Sequence, residues 1–530
     1  MSEAVPRLAR SAGLFGLATM ASRILGLVRE QVVAFYFGAG DATDAFRVAF
    51  RIPNLVRDLF AEGAMSAAFV PTFTRELTVA GRDRAWQLAH SVITALILVT
   101  GVLVVIVMIF AEPLVSFYSG AFVAVPGKLE LTILLTRIMT PFLTLVAVAA
   151  VLMGMLNALG HFFVPALSPA MFNVATIVVT VALVPMAPAL GMEPIVLVAI
   201  STLVGGVGQL LIQLRPLRRE GYRYRPALNA RDPALGRVLL LMGPGTIGMA
   251  ATQINIFVNT QFAAGEGTGA ISWLDYAFRV MYLPIGLFGV SIAAASTPAL
   301  ARLAAINDHS QMRTTVVRAI GLMLALNVPA TLGLIVLAPP IIALIFERGE
   351  FSSVDTTATA RALQFYALGL VGYAVVRIVS PAFYALHLSH IPVIASIVSV
   401  FTNVLLNVWL VRVMGFAGLA LGASIAAIVN ALLQIILLRR ALGGFPTARI
   451  MVTLSKSIVA ALAMAAAAWY SSAWLGAHLP GSSTLMQGVR LTTSIGLGLV
   501  GLSLMAWLLR LQEFEEARGL VLGRIKRLRR

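Results

Sequence analysis

Residues 13–40 read GLFGLATMASRILGLVREQVVAFYFGAG. The stretch is long enough to cross a bilayer, for which about 20 apolar residues suffice. Yet it carries Arg23, Arg29 and Glu30. A charge at the centre of a spanning helix costs roughly 2.5–3.5 kcal/mol on insertion scales, so such residues normally face a cavity or a partner. Arg23 falls near the middle of the stretch. Arg29 follows six residues later, about 120° round the helix, so the pair cannot share one narrow stripe but could both border a wide cavity.

The rest of the chain is built the same way. Of 530 residues, 59% are hydrophobic and 12% charged, against about 45–50% and about 25% in a soluble domain. That composition defines a polytopic helical membrane protein, and the alternating pattern of an outer-membrane barrel is missing. The absence of cysteine excludes disulfides, thiolate nucleophiles and iron–sulfur sites. The six histidines are scattered without metal-ligand spacing, so neither a metal nor a cofactor is expected. The start, MSEAVPRLARSAGLFG, lacks a small-residue cleavage site and reads as the first helix rather than a removable signal.

Fourteen spans are expected, at 10–37, 42–77, 86–118, 129–157, 162–186, 194–216, 235–264, 269–303, 314–346, 356–386, 391–411, 416–439, 450–474 and 486–510. The even-numbered loops hold the basic residues: Arg75, Arg82 and Arg84, the run 215–237, Arg302 and Arg313, then Arg439, Arg440 and Arg449. The odd loops GAGDAT, PMAPALGMEP and AGEGTG are nearly free of them. This asymmetry puts both termini in the cytoplasm, and the basic tail RGLVLGRIKRLRR suits contact with anionic membrane lipids. It also accounts for most of the net charge of +17, so no nucleic-acid partner is expected.

The chain repeats itself at an offset of 227 residues. NALGHFFVP at 157–165 echoes YALHLSHIP at 384–392, AEPLV at 111–115 echoes APPII at 338–342, and Gly16, Pro71 and Arg75 match Gly243, Pro298 and Arg302. Six spans separate the copies, so both point the same way: a parallel repeat. The expected organisation is a lobe over 1–227 (spans 1–6), a second over 228–445 (spans 7–12), and 446–530, holding spans 13 and 14 and the tail. Proteins of this symmetry are mostly transporters that alternate between inward-open and outward-open forms.

More charges lie inside the spans. Span 2 carries Asp44, Arg47, Arg51, Arg57, Asp58 and Glu62, and is loosened by Pro53 and Gly63. Span 8 carries Asp275 and Arg279, and span 10 carries Arg377. Arg47 and Arg51 read as surface residues, with Asp44 and Arg47 a local pair. Arg23, Arg57 and Arg279 lie too deep to snorkel. Advancing Arg23 and Arg29 by 227 gives Ala250 and Ile256, so the scaffold does not need these charges. Arginine in excess of acid points to an anionic cargo, because guanidinium binds phosphate oxygens bidentately and stays charged.

ASRILGLVRE, FGAGDATDAFRVAFRIPNLVRDLFAEGAMSAAFVPTF, SWLDYAFRVMYLPIGLFGVSIAAASTPAL and FERGEF resemble the MviN/MurJ family of lipid II flippases, within the multidrug/oligosaccharidyl-lipid/polysaccharide exporter superfamily. The resemblance covers essentially the whole chain. It implies transport, not catalysis: movement of undecaprenyl-pyrophosphate-linked peptidoglycan precursor from the cytoplasmic to the periplasmic leaflet of the bacterial inner membrane. Lipid II is the implied partner, with the cell-wall synthesis machinery a further candidate. By motif, the family's cavity arginines correspond to Arg23, Arg29, Arg57 and Arg279, its polar cavity residues to Asp44, Asn54 and Glu62, and its basic residue of span 10 to Arg377. Spans 13 and 14 are implied to form a groove for the lipid tail.

Two features depart from the family. Phe278 stands where members often have an acid before the span 8 arginine. Some members bind sodium through aspartates of spans 7 and 11, where this chain has Asn255, Asn259, Asn403 and Asn407. These asparagines are weak cation ligands, and hydrogen bonding between helices suits them better. An exporter of another polyprenyl-pyrophosphate glycan, of O-antigen type, fits the arginines equally. A drug or cation antiporter would bury carboxylates instead. A membrane glycosyltransferase would need a sizeable extramembrane loop with catalytic acids, and no loop is long enough.

Overall fold

The computed structural model describes residues 4–58, 66–479, 481 and 483–514. Among them the secondary structure is helical throughout, without a strand. In chain order the helices are α1 (Ala4–Phe37), α2 (Asp41–Arg57), α3 (Ser66–Val79), α4 (Arg82–Ile109), α5 (Ala111–Ser119), α6 (Lys128–Met139), α7 (Phe142–Ala158), α8 (Phe163–Leu167), α9 (Ala170–Leu183), α10 (Pro194–Arg219) and α11 (Pro233–Ala264). They continue as α12 (Ala270–Pro284), α13 (Val290–Ala305), α14 (His309–Val336), α15 (Ala338–Phe346), α16 (Ser353–Leu368), α17 (Leu370–Ala385), α18 (His390–Met414), α19 (Phe416–Ala441), α20 (Thr447–His478) and α21 (Thr484–Leu508).

Local chemistry sets many of these boundaries. Pro194 opens α10, where its missing N–H costs nothing, and Arg218 and Arg219 close it at the negative end of the helix dipole. Asp232 caps α11 by accepting from the Ala234 N–H at 2.9 Å. Ser352 and Asp355 form a capping box on α16.

Nine helical segments among the described residues are long and apolar enough to span a membrane, and the bent pair α16–α17 makes ten. The other four expected spans fall on α1, α2 with α3, α11, and α12 with α13. Those four carry most of the candidate site residues.

The 227-residue offset recurs in element boundaries. Advanced by it, α4 becomes His309–Val336, the range of α14, and α5 becomes that of α15. The ends of α1 and α2 map onto the ends of α11 and α12.

The chain forms two compact units: residues 1–272 with 348–351, and residues 273–347 with 352–530. In the first, α1 packs on α9, α2 on α6, α10 on α7 and α9, and α11 on α3. One of its cores gathers Phe69, Phe73, Leu88, Val151, Met155 and Tyr222. In the second, α14 packs on α17 and α20, α18 on α19, and α20 on α21. Its core includes Met312, Ile320, Met323, Ile378, Phe383 and Leu438.

Candidate functional site

Along α2, Asp44, Arg47, Arg51, Asn54 and Asp58 follow one another at three- and four-residue steps and share a face of the helix. The first unit builds its polar interior around this stripe. Arg47 is buried, and its Nη2 donates to Glu30 Oε2 at 3.1 Å. Glu30, also buried, takes Arg29 on its other oxygen. Arg29 Nη1 donates to Asn173 Oδ1 at 3.1 Å, and its guanidinium lies 4.9 Å from the Phe172 ring centroid. Asn173 Nδ2 in turn donates to the Ser22 carbonyl at 3.1 Å, tying α9 to α1. Phe172 stacks on Phe50 at 5.5 Å, so the arginine rests on the end of an aromatic stack.

Further along α2, Arg51 donates to the Thr260 hydroxyl of α11. Arg57 binds Asp58 through Nε and Nη2 at 3.1 and 2.8 Å, and Gln253 Nε2 donates to the other oxygen of Asp58 at 3.2 Å. The side-chain oxygen of Asn54 is buried without a hydrogen-bond partner among the described residues. Arg23 is exposed on α1. Glu62 lies outside the described residues.

Asp44 occupies a different place. It is fully buried and accepts four hydrogen bonds: from the Ser272 N–H and hydroxyl at 3.0 and 2.7 Å, the Gly269 N–H at 2.7 Å, and Lys128 Nζ at 3.1 Å. Lys128 also binds Asp41 at 2.8 Å and sits over the Phe122 ring. Beside this cluster the Glu350 N–H donates to the Phe35 carbonyl at 2.9 Å, closing segment 348–351 onto the end of α1.

In the second unit, Arg279 Nε donates to Asp275 Oδ2 at 2.9 Å and its side chain is 43% exposed. Phe278 stacks on Tyr282 at 5.7 Å and meets Tyr366 and Tyr373 edge-on. The Arg377 guanidinium lies 5.3 Å from the Tyr282 ring centroid. Phe278, noted in the sequence as a departure from the family, thus sits within an aromatic cluster beside Arg279. On α21, Leu499, Val500, Ser503, Leu504 and Trp507 form an open, mostly apolar outer surface.

Arg29, Arg57 and Arg279 each have an acid beside them or one helical turn away. Two sequence expectations need correction. Arg47 is not a surface residue but is buried against Glu30, and Arg51 is half-buried against Thr260 of α11. Asp44 and Arg47 do not pair, because each is taken by a residue from another helix. Asn407 Nδ2 donates to Asn403 Oδ1 within α18 at 3.2 Å, and Asn259 to Asn255 within α11 at 2.7 Å. The first pair packs against Gly422 of α19, where a Cβ would stand 2.4 Å from Asn407 Oδ1. Among the described residues no group of three or more His, Cys, Asp or Glu could hold a metal ion.

Sequence reading missed Asn173, which meets Arg29 from 144 residues away. It also missed Lys128, whose signal was available: a lone base in a loop of the base-poor set.

The apolar helices and the charged network around Arg29, Glu30 and Arg47 define a multi-span membrane protein with a polar interior. Solved multidrug-resistance MATE transporters share the fold: an inward-facing one is matched with a TM-score of 0.67 at 17% identity, over 82% of this chain and 98% of that one. The model of the family described as lipid II flippase MurJ matches residues 33–487. The probable lipid II flippase MurJ of Rhizobium meliloti is 33% identical over 490 residues, covering 91% of this chain and 90% of its own. The lipid II flippase MurJ of Burkholderia cenocepacia is 34% identical over 426 residues, covering 80% and 82%. A solved lipid II flippase MurJ in an inward closed conformation matches with a TM-score of 0.75 at 27% identity, over 94% of this chain and 99% of that one. The chain belongs to the lipid II flippase MurJ family.

Proposed function

We propose that this chain flips lipid II from the cytoplasmic to the periplasmic leaflet of the bacterial inner membrane by alternating access. It acts as a transporter rather than an enzyme. Membership of the MurJ family carries the reading, and it favours lipid II over another polyprenyl-linked glycan. Arg23, Arg29, Arg57, Arg279 and Arg377 bind the pyrophosphate, with Asn54 and Glu62 as further polar contacts. The ion pairs of Arg29, Arg57 and Arg279 hold the guanidiniums in place until the phosphate oxygens compete for them. Asp44 belongs to the same motif but, with four donors on it, acts through the Lys128–Ser272 cluster rather than on substrate. Spans 13 and 14, on α20 and α21, form the groove that takes the lipid tail.

Fourteen spans, a lobe at each of 1–227 and 228–445, and an accessory pair within 446–530 complete the reading. Both termini are cytoplasmic. Depletion of the protein in cells should accumulate lipid II in the inner leaflet. Accumulation of a different lipid-linked glycan would overturn the substrate assignment. Because Asn255, Asn259, Asn403 and Asn407 are neutral, transport is sodium-independent. Replacing sodium with choline at constant membrane potential should leave the flipping rate unchanged.

A further inference from the structure

The outward face of α10 runs through Val204, Val207 and Leu211 and then, in the same helical register, through Arg215 and Arg218. The three apolar residues are exposed, Leu211 by 61%. The three arginines Arg215, Arg218 and Arg219 are exposed as well. With Leu211 and Leu214 they line a shallow, open surface pocket of about 460 Å³. Among the described residues none of their side chains has an ion pair or hydrogen bond. The nearest acid in sequence, Glu220, is already held by Arg82 at 3.1 Å and His161 at 2.9 Å. The opposite face of the helix, with Gln213 and Leu217, is buried in the unit.

Position along the helix adds to this. From Pro194 to Arg215 the helix rises about 30 Å at 1.5 Å per residue, which is about the thickness of the hydrocarbon layer. The apolar part of the stripe therefore lies at acyl-chain depth and the arginines at headgroup depth. Basic pockets at that level on the cytoplasmic side suit anionic lipid headgroups.

We propose that Arg215, Arg218 and Arg219 form a binding site for the phosphate of an anionic diacyl phospholipid of the bilayer, whose acyl chain lies along Val204, Val207 and Leu211. Guanidiniums bind a phosphodiester through paired N–H donors, and the preceding valines and leucine give the chain an apolar track. A prenyl pyrophosphate shares the anionic head but carries one polyprenyl tail in place of two acyl chains, and it is the competing occupant that the test distinguishes. This site is separate from the arginines assigned to substrate and does not depend on that assignment.

The test is native mass spectrometry of the purified chain titrated with phosphatidylglycerol, phosphatidylcholine, undecaprenyl pyrophosphate or inorganic phosphate. One phosphatidylglycerol should be lost when Arg215, Arg218 and Arg219 are all changed to Gln. Its affinity should fall on the order of a hundredfold, at about 1 kcal/mol per arginine. Changing Arg439, Arg440 and Arg449 to Gln removes the same charge elsewhere and should leave that lipid bound. Equal loss in both triple variants would reduce the site to general surface charge and overturn the proposal. So would displacement of phosphatidylglycerol by phosphatidylcholine, by inorganic phosphate or by undecaprenyl pyrophosphate. A second measurement leaves the arginines in place. The chain has no cysteine, so Leu211→Cys can carry a single fluorophore. Brominated phosphatidylglycerol should quench it more than brominated phosphatidylcholine at equal mole fraction, and equal quenching would also sink the proposal.

Discussion

Glu30 answers for two arginines at once, and that makes its neighbours separable by experiment. Arg29 holds one of its oxygens and Arg47 the other. Arg29→Ala leaves Glu30 still paired with Arg47, so the fold should survive while substrate binding weakens. Loss of a charged hydrogen bond worth roughly 1.5–3 kcal/mol predicts a tenfold to hundredfold fall in lipid II affinity. Glu30→Ala does the opposite: it leaves Arg47 buried without its acid, which should cost about 3–5 kcal/mol. Thermal melts beside lipid II titrations distinguish the two, and equal loss of stability in both variants would refute the division of roles. The arginines themselves were legible in the sequence, since charge inside an apolar run is visible without a structure. Their partners were less so. Asn173 meets Arg29 across 144 residues, and no local pattern announces such a pairing.

At the scale of elements, two devices hold the first unit's loops. Segment 348–351 lies so close to α1 that a Cβ on Gly349 would stand 2.1 Å from the Phe35 carbonyl oxygen, and Gly349 has φ of +60°. Gly127 has φ of +77° with nothing within 4 Å of its Cβ position. Gly127→Ala should therefore cost only backbone strain, about 1–2 kcal/mol, whereas Gly349→Ala must also dislodge the segment. Hydrogen exchange should quicken over 348–351 in the second variant alone. The other device is the strap 222–232, laid along α4. The N–H groups of Arg225 and Ala227 donate to His90 Nδ1 and Thr94 Oγ1, both at 3.3 Å, and Asp232 binds Arg84 at 2.6 Å. Burial alone would raise the Asp232 carboxyl, but Arg84 and the Ala234 N–H override it and hold it below its ordinary 3.8. The His161 hydrogen bond lowers Glu220 in the same way. A carboxyl depressed by folding adds stability above its unfolded pKa and loses it as pH falls through the folded one. The strap should hold from pH 7 to about 5 and loosen below about 4. Asp232→Asn should loosen it at neutral pH and flatten the acid dependence, as read by hydrogen exchange over 222–232. Helix boundaries were largely readable, because the 227-residue repeat let each copy mark the other. The strap was not: two of its bonds use backbone donors, which carry no sequence signature, and Arg84 meets Asp232 from 148 residues away.

At the scale of the whole molecule, the cysteine-free sequence allows a clean topology measurement. Single cysteines at residue 2, in 222–232 and at Arg510 should react with an impermeant maleimide only after the cytoplasmic face is opened. Labelling of the 222–232 cysteine in intact cells would overturn the inward placement of the termini and the parallel reading of the repeat. Composition determined the class of protein, because a chain this apolar has no soluble way to bury its surface. Arginines inside spans marked where the chain must supply polar partners, because an ion at that depth needs a counterpart. Tertiary structure decided which of those charges are held and by what. Arg47 read as a surface residue because Asp44, three residues earlier, offered it a local pair, yet it is buried and held by Glu30 of α1. Asp44 read as a cavity acid, yet Ser272, Gly269 and Lys128 converge on it from two other parts of the chain. Hydropathy is a property of single residues and survives in a linear reading. Pairing of charges depends on distances between residues far apart in sequence, which exist only once the helices have packed.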